Sequence, residues 1–207
     1  MNERWQPARS RGLLLVPGEP EPATAWVRKG LVACQVVELG RWTGVVPVEE
    51  RSRAAEPYDD AATVLVSRPL PRKLRPAIGV LHVDHRAAVV VQPGGLRHQP
   101  RWLVWAPGEG HVRTPDLDLA TPADLAEAAG RPGADRDVAQ VVADRSGDAL
   151  RLLTDLMTVL GLPGADLLGA GAGPRGPVVA PTAQAVERFD ARMAEIARHH
   201  RELDDNL

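Results

Sequence analysis

One cysteine, Cys34, occurs in 207 residues. The chain therefore closes no disulfide on itself, and it has neither a Cys-rich zinc site nor a C-x-x-C redox pair. Lysine is almost as scarce. Lys29 and Lys73 each follow an arginine, whereas a Walker A loop sets glycine before its lysine, so no standard P-loop is present. The four serines, Ser10, Ser52, Ser67 and Ser146, fall in neither G-x-S-x-G nor S-x-x-K. Asparagine appears only as Asn2 and Asn206, and aromatic residues make up 3% of the chain. No H-E-x-x-H pair and no EF-hand loop can be found. No motif calls for a cofactor. The longest early apolar run, residues 12–16, is far shorter than a signal-peptide core or a membrane span, and the expected location is the cytoplasm.

What is there is ordinary globular material: 44% apolar, 25% charged, with a formal net charge of -2. A dedicated nucleic-acid binder carries a cationic surface, so nucleic acid is not an expected partner. Arginine far outnumbers lysine in a chain rich in Ala, Gly and Pro, a pattern that a GC-rich coding sequence produces without any functional demand. Charge is uneven along the chain, with a net of +5 over residues 1–113 and -7 over 114–207. The two parts attract each other or face different partners.

Punctuation by Gly and Pro divides the chain. Residues 1–10 read as a polar tail. Residues 12–16 form a strand ended by Pro17-Gly18, and a helix follows with Pro22 near its start and Gly30 after its end. Apolar runs at 35–39 and 42–48 flank Gly40-Arg41, a type II′ hairpin signal. Residues 62–67 read as a strand, and 68–76 as an extended connector with three prolines and four basic residues. Hairpins are expected at 77–83 with 86–92, turning at Asp84-His85, and at 101–106 with 111–113.

Beyond residue 114 the period becomes helical. Thr121-Pro122 starts a short helix closed by Gly130. Residues 135–160 carry an apolar stripe of Val138, Val142, Ala149, Leu152, Leu156 and Val159, split at Ser146-Gly147-Asp148. The stretch 163–181 reads as a Gly/Ala/Pro-rich linker, and 182–207 holds a final amphipathic helix. The predicted class is α+β. An antiparallel sheet with one flanking helix spans 11–130, a helical appendage spans 131–162, and a tethered C-terminal helix follows.

Five constellations carry candidate chemistry. His82, Asp84 and His85 put imidazole and carboxylate together at a predicted turn, with His111 as a further ligand by proximity of hairpins; a metal or a base-orienter pair uses such groups, and so does an ordinary turn. Arg68, Arg72, Lys73 and Arg75 form a basic strip suited to an acidic partner surface. Trp102 and Trp105 fall on opposite faces of one strand, so that either both pack in the core or against a helix, or one of them faces a groove or partner. Gly169 to Gly176 has the glycine content of a phosphate loop, but no strand precedes it and no helix follows at once, so it reads as a tether. The carboxylate pairs Asp59-Asp60 and Asp116 with Asp118 stand just before elements, where Asp serves backbone hydrogen bonds.

The sharpest pattern is in the last helix. Val186, Phe189, Met193, Ile196, His200 and Leu203 are spaced 3, 4, 3, 4, 3, an a/d seam. Such a seam packs on the 138–159 stripe of its own chain, on its own copy, or on a different protein. Two functional classes follow. One is a non-enzymatic binding or adaptor protein that recognises through the sheet domain and packs or associates through the terminal helix. The other is a small hydrolase or metal-dependent enzyme around His82, Asp84 and His85.

Overall fold

The computed structural model describes residues 10–95, 99–169 and 176–204. Eight strands pair antiparallel throughout, in the order β7-β6-β5-β4-β1-β3-β2-β8. They are β1 (Arg11–Pro17), β2 (Cys34–Leu39), β3 (Trp42–Pro47), β4 (Ala77–Val83), β5 (Arg86–Gln92), β6 (Arg101–Ala106), β7 (Gly110–Val112) and β8 (Val178–Val179). The helices are α1 (Pro20–Val27), α2 (Ala61–Ser67), α3 (Pro122–Ala128), α4 (Asp135–Ala143), α5 (Ala149–Val159) and α6 (Ala183–Asp204). The α+β class read from the sequence is the observed one. No helix among the described residues is long and apolar enough to cross a membrane.

The continuous apolar run in β1 has a direct explanation: the sheet is covered on both faces, so consecutive side chains are both buried. Leu13 and Leu15 point to one face with Ile78, Val80, Val89, Val91, Leu103 and Trp105, where α3, α4 and α5 pack. Leu14 and Val16 point to the other, against Trp26 and Val27 of α1 and Leu65 of α2. The stripe of residues 138–159 is consumed in the first layer: Val138, Ala149, Leu152 and Leu156 are all buried there. Local chemistry defines these helices. Thr121 and Asp124 form a capping box at α3, and the Asp148 carboxylate accepts the Arg151 N–H at 2.8 Å to start α5.

The hairpin turns follow the sequence. Gly40 has φ +69° between paired Leu39 and Trp42, and Asp84 has φ +55° between paired Val83 and Arg86. Aspartate tolerates that left-handed conformation better than most residues.

Residues 62–67 are a correction: the predicted strand is helix α2. A short apolar run is ambiguous by periodicity alone. The Asp60 carboxylate, accepting the Thr63 N–H at 2.7 Å, caps a helix here. Two strand glycines then admit it. A Cβ on Gly79 would stand 2.8 Å from the Val66 Cβ, and one on Gly12 would stand 3.0 Å from the Ala62 Cβ. With hydrogen in place of Cβ, α2 lies directly on β1 and β4.

The 163–181 stretch also contains more structure than a linker requires. It has a 3-10 turn at Ala165–Leu168, with Leu168 fully buried, and strand β8 pairs Cys34 with Val179. Most of the glycine-rich segment, residues 170–175, and all but the last residue of the polar tail lie outside the described residues.

Candidate functional site

The sheet register separates the histidines. Arg11, His82, Ala87, Trp105 and His111 lie on one rung crossing β1, β4, β5, β6 and β7. His82 and His111 are three strands apart, roughly 14 Å at ~4.8 Å per strand. His82 is half-buried on the face that α5 covers, while Asp84, His85 and His111 are exposed. Burial, then the Arg11 charge, hold the His82 imidazolium below the usual histidine range; Asp148 and Asp84 pull it up, and His85 lowers it. Among the described residues, no group of three or more His, Cys, Asp or Glu side chains is placed to hold a metal ion. Asp84 with His85 is an ordinary two-residue hairpin turn.

The basic strip is also divided. The Arg68 guanidinium stacks 4.3 Å over the Trp26 ring and donates to the carbonyl oxygens of Trp26 and Lys29, each at 2.9 Å. Trp26 is in the last turn of α1 and Lys29 lies just past its end, where a cation is well placed to satisfy carbonyls. Burial lowers its pKa to about 10. The neighbouring chain is held by Gln92, buried beneath it, whose Oε1 accepts the Leu70 N–H and whose Nε2 donates to the Arg68 carbonyl, both at 2.9 Å. Arg75 is half-buried. Arg72 and Lys73 are exposed on a 3-10 turn anchored by fully buried Leu74. The strip therefore presents Arg72 and Lys73 outward, because Arg68 is turned to the end of α1 and Arg75 is half-buried.

Neither tryptophan of β6 is a surface indole. Trp105 is buried under α4 and α5, and half-buried Trp102 packs with Val66, Leu81 and Val90 on the other face. Cys34 is buried, and that burial raises its thiol to about 12, which leaves it protonated and unreactive.

The seam of α6 does not lie on the 138–159 stripe. That stripe faces the sheet, and α6 leaves from the far edge. The Thr182 N–H donates to the Arg28 carbonyl at 2.9 Å, and the Phe189 ring meets Tyr58 edge-on at 5.5 Å. Val186, Phe189 and Met193 are half-buried, and Ile196 is 40% exposed. The side chains of His200 and Leu203 lie outside the described residues. No described residue of α6 belongs to the core clusters.

One feature was missed by sequence reading. The break at 146–148 sets α4 and α5 side by side and leaves a groove of about 600 Å³ between them. Trp105 and Leu152 form its floor, with half-buried Val141 and Val159 alongside. Asp137, Asp144, Asp155 and Arg151 line it, and all four are exposed. The Asp144 carboxylate is held below the usual range by the Ser146 hydroxyl and N–H. The available signal was spacing for one pair only: Arg151 and Asp155 are four apart and share one face of α5, whereas Asp144 stands just past the end of α4.

Comparison of the chain with protein-family models, with curated proteins and with solved structures finds no match.

Proposed function

We propose that this chain is a non-enzymatic cytoplasmic binding protein, a sheet domain that carries α6 as its association helix. The observation that supports this reading is the position of α6. Its 22 residues run roughly 33 Å. The core clusters leave it out, and the apolar seam continues past Tyr58 to exposed Ile196. Helices in proteins draw most of their stability from packing an apolar face, so a seam of this kind gains its stability from a partner. The same chain is the simplest partner, because it carries an identical seam. A buried, protonated Cys34 suits a reducing compartment. The alternative enzyme around His82, Asp84 and His85 has no arrangement of described residues in its favour.

Light scattering on the full chain and on Ile196→Asp tests this. The full chain is expected above monomer mass. The variant is expected as a folded monomer, because Ile196 belongs to no core cluster. A monomeric full chain refutes the reading.

A further inference from the structure

We propose that the groove between α4 and α5 receives α6 of a second copy of this chain. The inference rests on the reading of α6 as an association helix and names where that helix goes.

Length agrees first. The groove runs along α5, eleven residues or roughly 16 Å, and the seam from Val186 to Ile196 spans roughly 15 Å once Phe189 exchanges its edge contact with Tyr58 for the groove. Chemistry agrees next. The groove has an apolar floor of Trp105 and Leu152 under a rim with three aspartates and one arginine. On α6, Arg188 and Arg192 stand one residue before seam positions Phe189 and Met193, so both project along the same side of the seam. Glu195 stands likewise before Ile196. Arg151 already pairs with Asp155 at 3.7 Å, so the rim is net negative through Asp137 and Asp144, and the two arginines on this side of α6 complement it.

A chain does not fill its own groove in this arrangement. Its α6 starts at β8 beside α1, on the face opposite α4 and α5. The groove floor is on β6, six strands from β8, or roughly 29 Å away. A second copy meets no such barrier. Reciprocal exchange, each groove taking the other's helix, closes into a two-fold dimer and does not propagate.

The experiment uses the full-length chain and three variants: Ile196→Asp, the rim variant Asp137→Lys with Asp155→Lys, and the rim variant further carrying Arg188→Glu with Arg192→Glu. Dimer dissociation constants are read by analytical ultracentrifugation, with circular dichroism to establish that each variant is folded. The seam and rim variants are each expected to weaken the dimer at least tenfold. Adding the α6 charge reversals to the rim variant is expected to restore the dimer, and mixing the seam variant with the rim variant is expected to give heterodimers, since one intact groove then meets one intact helix. Wild-type dimerisation by the rim variant, with loss of dimer in Ile196→Asp, overturns the groove while leaving α6 as the association helix. Failure of the charge reversals to restore the rim variant also overturns the groove. A wild-type chain that stays monomeric through the micromolar range overturns both.

Discussion

Replacing Gly79 with alanine tests why residues 61–67 are a helix. The added methyl would stand 2.8 Å from the Val66 Cβ and 3.1 Å from its Cγ1. Rotation about χ1 moves the Cγ atoms but not Cβ, so α2 itself has to shift. Three constraints resist that shift. The Asp60 carboxylate caps its start, the Gln92 amide donates to the Val66 carbonyl at 3.3 Å, and Ala62 already sits against Gly12. Removing a glycine narrows the unfolded ensemble and by itself stabilises by about 0.4–1 kcal/mol where the site is unstrained. Overpacking a filled interior costs about 1–3 kcal/mol. The second effect wins, and Gly79→Ala is expected to destabilise by about 1–2 kcal/mol, roughly 2–8 °C in Tm for a chain of this size. Gly94 is the control: a Cβ there meets nothing closer than Pro76 Cδ at 3.5 Å, an ordinary contact. Urea titrations of both variants are read at their midpoints with unchanged slope. If Gly79→Ala unfolds at or above the midpoint of Gly94→Ala, α2 is not seated on a glycine floor, and the packing argument fails.

Two further outcomes follow from the same structure. Arg68→Met removes the guanidinium from the Trp26 ring together with its bonds to the Trp26 and Lys29 carbonyls, and it is expected to cost about 1–2 kcal/mol, whereas Arg72→Ala stays within about 0.5 kcal/mol; equal thermal stability of the two variants would contradict the division of the basic strip. His82 titrates lower in the folded chain than its ordinary value near 6.5, so the unfolded chain binds the extra proton first and stability falls as pH drops from about 6.5 toward the folded value. His82→Gln should flatten that slope, and an unchanged pH profile of thermal unfolding would remove His82 from it.

The hairpins and the capped helices were legible because their signals are local. Gly40 takes a positive φ that its neighbours would resist, Asp84 sits where a turn admits aspartate, and Thr121, Asp124 and Asp148 hold the orphan N–H groups of helix starts. These interactions join residues a few positions apart and work in any fold. Helix α6 was legible for the same reason: its period is a property of one segment. What covers what was decided by the tertiary structure. Residues 61–67 suit a strand or a helix, and the choice went to the helix because Gly12 and Gly79, distant in sequence, meet beneath it. Arg68 reads as a surface cation until the end of α1 arrives beside it. The histidines at 82 and 111 look close on paper, but two intervening strands hold them apart. The groove of α4 and α5 exists only because both helices lie on the same sheet face. Short-range backbone chemistry determined the elements. Burial, which depends on which surfaces meet after the chain has folded back on itself, determined their partners.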